Sequence, residues 1–190
     1  MEKFIKSDMN YLLGIVTLFC LFLLLFLIFI ILTILFPLVS SFFSKEAPFV
    51  PTSMKVVREM LKIASLKEGE RVYDLGCGDG RIVIEAARHY KVKAIGVEKF
   101  FGTWLLAKLR NFFYGGKAII LRDDFRRINL SSAQTIFCYL LPEIMADLEK
   151  KIKKECFPGT KIISHDFKIK DWQPEKIKKV GHSTIYLYRV

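Results

Sequence analysis

The stretch "VYDLGCGDGRIVIEAA", residues 72–87, joins a short apolar run to a helix-like segment through a loop rich in glycine. Gly76, Gly78 and Gly80 occupy alternate positions in that loop. Glycine permits positive φ angles and lets a ligand approach the backbone closely. The pattern therefore predicts a strand, a ligand-binding loop and a helix, which is the repeating unit of parallel α/β sheets.

The same alternation of strand and helix signals continues to the end of the chain. Apolar runs predict further strands at residues 93–100, 117–125, 135–142 and 161–167. Helices are predicted at residues 52–66, 80–90, 102–115 and 142–159, and two last strands form a hairpin around Gly181 and His182. The predicted fold class is α/β, a Rossmann-like, doubly wound, mostly parallel seven-strand sheet with helices on both faces.

The N-terminal part of the chain is strongly apolar. No charged residue occurs between Met9 and Ser44. A helix over residues 11–36 is about 39 Å long, more than the roughly 30 Å of a bilayer's hydrocarbon core. We expect a tail at residues 1–10, a transmembrane helix at 11–36, a linker at 37–51 and a domain at 52–190. A cleaved secretory signal is the alternative, although its apolar region is typically only about 7–15 residues long.

The net charge of +11 belongs to the domain, because the charges of residues 1–48 sum to zero. A basic domain beside a bilayer is attracted to anionic headgroups, and a basic surface also suits nucleic acid or an acidic protein. The four cysteines form no C-x-x-C pair, and His165 and His182 lack metal-ligand spacing. We therefore predict no metal site and interpret both histidines as structural.

The residues around the glycine loop indicate which nucleoside ligand it binds. Glu98 ends the second predicted strand, where an acid binds ribose hydroxyls. The third glycine comes one residue earlier than in the dinucleotide fingerprint G-x-G-x-x-G, and no G-K-[ST] follows as in a P-loop. Asp74 and Asp79 flank the loop, and carboxylates disfavour a bound pyrophosphate. They favour S-adenosyl-L-methionine, which carries a sulfonium and an ammonium and no phosphate.

This stretch resembles the first motif of the seven-strand S-adenosylmethionine-dependent methyltransferases, D-x-G-x-G-x-G followed by an acid that ends strand two. Asp74, the three glycines and Glu98 match position by position. In this family an acid at the end of strand three lies near the adenine amino group, for which Asp124 is the better candidate and Asp123 the second. The resemblance implies cofactor contacts by Thr52, Asp74, Gly76, Cys77 (through its backbone), Gly78, Gly80, Glu98, Lys99, Asp123, Asp124, Phe125 and Tyr139.

A narrower resemblance covers residues 48–190. The segments "PFVPTSMKVVREML", "WLLAKLR", "LLPEIMADLEKKIKKE" and "DWQPEKI" are similar to those of small protein-lysine methyltransferases with a membrane-targeting apolar N terminus. Mitochondrial members modify the c subunit of ATP synthase and the adenine nucleotide translocase, and archaeal relatives methylate lysines broadly. The resemblance implies a lysine acceptor.

Transfer to a lysine requires a neutral amine held in line with the methyl group, and a low-dielectric pocket helps by lowering the amine's pKa. Such a pocket needs no obligatory base. The pocket candidates are Phe49, Thr52, Tyr139 and Glu143. Tyr139 either flanks the cation near the methyl donor or is buried strand surface. Glu143 either accepts from an incoming ammonium or complements the dipole of its helix.

Several expectations about partners and location follow. Since the cofactor is made in the cytosol, we expect a single-pass membrane protein with its domain on the cytoplasmic side, or in the mitochondrial inner membrane if the source is eukaryotic. The expected partners are the lipid bilayer and a protein substrate. Lipid, small-molecule and RNA acceptors stay open, as does a non-catalytic binding module. Nucleic acid is not favoured, because "YLLP" lacks the Asn/Asp-Pro-Pro-aromatic motif of enzymes that methylate base amino groups.

Overall fold

The computed structural model describes the backbone of residues 2–43 and 49–190, and the side chains of residues 13–33, 35 and 49–190. The chain divides into two compact units, Met1–Ser40 and Ser41–Val190.

The first unit belongs to one helix, α1, at Glu2–Phe43, which ends three residues past the unit's boundary. Its segment Leu13–Thr33 is long and apolar enough to cross a membrane, by length and composition, and its side chains are exposed. The helix is longer than the predicted span, since residues 2–10 and 37–43, expected to be tail and linker, are also helical. The rest of the predicted linker lies partly outside the described residues, at positions 44–48.

The second unit has the predicted alternation of strands and helices. Its elements are α2 (Met54–Ala64), β1 (Arg71–Leu75), α3 (Arg81–His89), β2 (Lys93–Glu98), α4 (Phe101–Phe113), β3 (Ile119–Arg122), β4 (Thr135–Cys138), α5 (Pro142–Glu155), β5 (Lys161–His165), β6 (Lys176–Val180) and β7 (Ser183–Arg189). The predicted strands extend past the observed ones at their carboxyl ends, because those residues turn out of the sheet and form the loops described below.

The strands form a seven-stranded sheet in the order β3-β2-β1-β4-β5-β7-β6. The first five strands of the chain, β1 to β5, are parallel to one another, and β7 runs antiparallel to both β5 and β6. The predicted closing hairpin is therefore confirmed. The strand order reverses between β1 and β4, and in open α/β sheets ligands bind at the carboxyl ends of the strands beside such a reversal. This places the glycine loop after β1 and Tyr139 after β4 on either side of one crevice.

Apolar residues cover both faces of the sheet, as the fold class predicts. Helices α2, α3 and α4 share one core, which includes Val57, Met60 and Val83. Helix α5 shares the other core, into which Leu148 and Ile152 point, as the helical spacing of its apolar residues predicts. Removal of this apolar surface from water is the main term that holds the layers together.

A buried ion pair joins β5 to the segment before β1. Lys161 Nζ lies 3.1 Å and 3.2 Å from the two Glu70 carboxylate oxygens and donates to the Ala64 carbonyl at 2.7 Å. The Thr135 hydroxyl donates to the same carboxylate at 3.1 Å.

Substitution Glu70→Ala is expected to destabilise the domain by about 3 kcal/mol, because it leaves the Lys161 ammonium buried without its counter-charge. For a chain of this length the melting temperature should fall by about 6–12 °C in thermal denaturation followed by circular dichroism. The control is Glu68→Ala, which removes a pair whose two side chains, Glu68 and Lys91, are 73% and 76% exposed. An equal loss in both variants would contradict the assignment.

Candidate active site

The glycine loop turns sharply after β1 and is held by β2. The N–H groups of Gly76 and Cys77 both donate to the Val97 carbonyl, at 2.9 Å and 3.0 Å. Gly78 adopts a φ of +55°, and a Cβ atom there would lie only 2.7 Å from Cδ2 of Phe49. Only glycine fits, because the Phe49 ring lies against the loop at this point.

Asp74, the next-to-last residue of β1, is a buried acid whose negative charge none of the described residues neutralises. Burial raises the pKa of its carboxyl to about 8, with the neighbouring carboxylates of Glu98 and Asp79 contributing in the same direction. No hydrogen bond or cation from the described residues opposes these effects. An isolated buried carboxylate is costly. Its position therefore suits a cationic ligand group that supplies the missing charge.

Glu98, the last residue of β2, fastens the loop. Its Oε2 accepts from the N–H of Gly78 and its Oε1 from the N–H of Phe100, both at 2.9 Å. Burial is the largest effect on its pKa, which is raised in spite of these bonds. The Thr103 hydroxyl and the Lys99 N–H also favour the ionised form of this carboxyl through hydrogen bonds.

The interpretation of Asp79 as an acid that faces a cationic ligand is wrong. Its Oδ2 lies 2.6 Å from Arg81 Nη2, and it also pairs with Nη1 of Arg110. Burial opposes ionisation of this carboxyl, but the two guanidinium groups outweigh it and hold the pKa below its usual value. Arg81 also donates to the Thr52 carbonyl, so it connects the start of α3 to the segment before α2.

The residues after β3 lie, like the glycine loop and Glu98, at the carboxyl ends of the parallel strands. Asp123 Oδ1 accepts from the N–H of Asp124 at 2.7 Å. The Asp124 carboxylate lies 3.4 Å from Lys99 Nζ and 3.2 Å from Arg126 Nη1. Burial works against its ionisation, but these contacts and the Arg126 N–H hold its pKa below the usual value. Phe125 is buried in the second core, with the Arg126 guanidinium 5.0 Å above its ring.

An aromatic cluster closes the crevice at the ends of β4 and β5. The Tyr139 ring lies 4.1 Å from the His165 ring and 5.9 Å from the Phe167 ring, between centroids. The Thr52 hydroxyl lies 3.2 Å from His165 Nδ1. Burial lowers the pKa of His165, which Asp166 partly opposes, and burial raises the pKa of Tyr139. Near neutral pH both rings are therefore uncharged.

One ring nitrogen of His165 has no hydrogen-bond partner among the described residues. Its Nε2 is buried and lies 3.2 Å from an Asp166 carboxylate oxygen, but it hydrogen-bonds to none of the described residues. Sequence reasoning treated His165 as structural and missed Phe167 altogether. The available signal was topological, since Cys138 pairs with Ser164, so the residue after each stands at the same sheet edge.

Two predicted residues lie apart from these contacts. Cys77 directs its side chain into the first core, where burial raises its thiol pKa well above the usual value, so only its backbone faces the loop. Glu143 is exposed in the first turn of α5, directly after Pro142. Among the side chains that the structure describes, no group of three His, Cys, Asp or Glu residues is placed to hold a metal ion.

Known proteins share this arrangement. Residues 74–176, more than half of the chain, match the ANTKMT methyltransferase domain family. The chain belongs to that family. Residues 42–99, which include the glycine loop, also match the mycolic acid cyclopropane synthetase family. The enzyme is thus an S-adenosylmethionine-dependent methyltransferase.

Individual relatives match about three quarters of the chain. A protein-lysine N-methyltransferase from Saccharolobus islandicus is 41% identical over 148 residues, which are 74% of this chain and 92% of that protein. A lysine N-methyltransferase of the ATP synthase c subunit from Homo sapiens is 30% identical over 145 residues, 74% of this methyltransferase but only 60% of the human protein. A crystal structure of an RNA methyltransferase from Salinibacter ruber with S-adenosyl-L-homocysteine has a TM-score of 0.72 and 32% identity, covering 74% and 94% of the two chains.

The residues of the crevice fit S-adenosyl-L-methionine, the cofactor of this methyltransferase. The uncompensated carboxylate of Asp74 matches the ligand's ammonium. Glu98 ends β2, where an acid binds ribose hydroxyls, and the loop glycines leave the backbone open to close approach. A pyrophosphate would instead meet the like charge of these acids.

Proposed function

We propose that this methyltransferase N-methylates lysine side chains of membrane or membrane-proximal proteins. The observation that supports the acceptor most directly is the 41% identity to a protein-lysine N-methyltransferase, over 92% of that protein's length. A membrane-proximal acceptor is supported by the human relative named for the ATP synthase c subunit and by the apolar segment Leu13–Thr33.

The cofactor-binding assignments rest on the ends of the first three strands. When bound, the cofactor supplies a sulfonium methyl group to a neutral amine. Asp74 binds its ammonium, Glu98 binds the ribose hydroxyls, and Asp123 or Asp124 accepts from the adenine amino group. The backbone of residues 76–80 lies against the ligand, and Thr52, Lys99 and Phe125 complete its surroundings.

The acceptor assignments rest on the aromatic cluster. Tyr139, with His165 and Phe167 against it, presents a ring face to an alkyl-ammonium chain. An apolar, partly dehydrated surrounding lowers the pKa of an acceptor lysine and so raises the fraction in the neutral, nucleophilic form. His165 and Thr52 fix the position of the Tyr139 ring. Glu143, exposed at the start of α5, is available to attract the incoming ammonium.

The location assignment rests on α1. We propose that residues 11–36 span the membrane once and that the domain at 52–190 lies on the cytoplasmic side, where the cofactor is made. In a eukaryotic source the inner mitochondrial membrane is the corresponding place. The lipid bilayer and the protein substrate are the proposed partners. Protease protection of closed vesicles, with cleavage of the domain only from the cytoplasmic side, tests this orientation.

The acceptor is tested with the full chain in lipid nanodiscs and membranes from cells that lack it. Methyl-labelled S-adenosylmethionine should mark protein bands, and peptide mass spectrometry should find methylated lysine. Substitution Asp74→Asn, with the fold verified by circular dichroism, should strongly reduce the label because the cofactor binds more weakly. Label found only in the lipid extract or in the nucleic acid fraction would overturn the proposal.

RNA is a second candidate acceptor, favoured by one specific observation. The solved structure that is 32% identical, and of whose chain the match covers 94%, is described as an RNA methyltransferase. The net charge of +11 is compatible with binding to a polyanion. Ribonuclease-sensitive label, together with RNA binding that weakens steeply with salt, would select this acceptor instead of lysine.

A further inference from the structure

Helix α4 buries small or polar side chains and exposes most of its large apolar ones. The side chains that it buries are Thr103, Ala107 and Asn111, which are small or polar. Most of its large apolar side chains face outward instead, and the most exposed are Phe112 at 75% and Phe113 at 78%, whereas Trp104 packs against the first core. An ordinary surface helix shows the opposite distribution, with its apolar stripe against the core.

The outward side chains form one continuous surface. At about 100° per residue they cover an arc of roughly 140°, and this arc lies opposite the buried residues. The edge strand β3 also exposes Ile119 and Leu121, but on the face of the sheet away from α4, because Ile120 between them packs into the core that α4 shares. We call the outward surface of α4, at this edge of the sheet, the α4–β3 edge, and its members are Phe101, Leu106, Leu109, Phe112 and Phe113.

The charge balance of α4 and β3 is positive, although Arg110 pairs with Asp79 and Lys99 with Asp124. Residues 99–122 contain five Lys or Arg residues and no Asp or Glu. Lys108 and Arg110 border the apolar arc of α4 on its two sides. The Arg122 guanidinium lies 5.0 Å above the Phe101 ring, and that of Arg110 lies 5.7 Å from the Tyr114 ring. Aromatic side chains bordered by cations are typical of helices that lie in the interface of an anionic membrane.

We propose that the α4–β3 edge lies in the headgroup region of an anionic lipid bilayer and gives the chain a second membrane contact besides α1. The inference rests on the membrane location in the proposed function. Apolar side chains enter the acyl boundary, while Lys108 and Lys117 reach the anionic headgroups.

A bilayer explains the surface better than a second copy of the chain. Association of two α4–β3 edges would bring Lys108, Lys117 and Arg122 of one copy against the same cations of the other, and residues 99–122 contain no acid to neutralise them. An anionic bilayer neutralises these charges and covers the apolar side chains at once. A second contact also restricts the orientation of a tethered domain, which raises the effective concentration of its site near membrane-bound acceptors.

The test places an environment-sensitive fluorophore on the full chain in vesicles. The label is attached at Phe113→Cys in a Cys20→Ser background, because Cys77, Cys138 and Cys156 are buried. The matched control is Ile177→Cys on β6, which is 55% exposed and lies at the opposite edge of the sheet. The vesicles contain phosphatidylcholine and phosphatidylglycerol, and the quencher is a phospholipid brominated near its headgroup.

We expect the lipid to quench the label at position 113 at least about twofold more than the label at position 177. The additional substitutions Lys108→Glu and Lys117→Glu, both at exposed positions, should remove most of this difference. Equal quenching at the two positions would overturn the proposal. So would energy transfer between labelled copies without lipid quenching, which would indicate a dimer, or a difference that the charge reversals leave unchanged.

The outcome is separable from that of the proposed function. Vesicle flotation reports the membrane association of the chain, and calorimetry on the same samples reports cofactor binding. A sample that floats, binds cofactor and shows the expected quenching but methylates no lysine would contradict the acceptor assignment alone. A sample that floats and methylates lysine without the quenching difference would contradict the α4–β3 edge alone.

Discussion

Replacing Asp74 by asparagine is expected to weaken S-adenosylmethionine binding by about 10- to 150-fold, the equivalent of roughly 1.5–3 kcal/mol for a hydrogen bond between charged groups. The side chain keeps its shape but loses the charge that the ligand's ammonium requires. Isothermal titration calorimetry of the full chain measures the affinity. The control is Asp79→Asn, because Asp79 is occupied by Arg81 and Arg110 and should leave the affinity closer to that of the wild type.

The raised pKa of Asp74 makes this binding pH-dependent. In the ligand-free protein the carboxyl has a pKa of about 8 and is largely protonated at pH 7. The bound ammonium favours the carboxylate, so binding should release a proton, and affinity should rise with pH and level off above about 8. Calorimetry in two buffers of different ionisation enthalpy counts that proton. If Asp74→Asn releases as many protons as the wild type, the group that titrates is not Asp74.

The raised pKa of Asp74 also determines how the stability of the ligand-free protein changes with pH. The folded-state pKa of Asp74 lies above its ordinary value of 3.8. The contribution of its protonated carboxyl to the free energy of unfolding is therefore fully present below pH 3.8 and is lost as pH rises through about 8. Ligand-free Asp74→Asn should therefore melt higher than the wild type at pH 9 and at nearly the same temperature at pH 4. Ionisation of a buried, uncompensated acid is the physical reason.

The sequence predicts those elements and site contacts that depend on residues close together in the chain, and it does not predict those that join distant segments. The strand, loop and helix around Gly76 follow from neighbouring residues, and so does the β6–β7 hairpin around Gly181. The role of Asp79 does not, because Arg110, one of its two partners, is 31 residues away. The contacts of His165 with Thr52 and Tyr139 are likewise not predictable from neighbouring residues, since they depend on the packing of three separate segments.

Helix α4 shows a different limit. Its apolar residues recur at helical spacing, and such a stripe is normally assigned to the core. The structure buries Thr103, Ala107 and Asn111 instead, because small side chains let α4 approach the glycine loop closely: a Cβ added at Gly80 would lie 3.2 Å from that of Ala107. Periodicity identifies a helix and its two faces, but only the packing shows which face is buried.

Substitution Gly78→Ala is expected to damage the site through two separable effects. A φ of +55° costs an L-residue about 1–2 kcal/mol, and the new methyl group would also collide with the Phe49 ring. Displacement of Phe49 and of the bond from the Gly78 N–H to Glu98 should weaken cofactor binding by about tenfold or more, since about 1.4 kcal/mol corresponds to one factor of ten. Calorimetry gives the affinity and thermal denaturation the stability.

The chain contains a matched control for the backbone effect. Gly116 has a φ of +64°, but a Cβ there would meet nothing within 4 Å, so Gly116→Ala should show the conformational cost without a collision. Removing the ring with Phe49→Ala should recover stability in the Gly78→Ala background while destabilising the wild type, which makes the two substitutions non-additive. If they are additive, Phe49 does not lie against Gly78 in solution. If they are coupled, the Phe49 ring lies against Gly78 in solution, so the segment before α2 borders the glycine loop after β1.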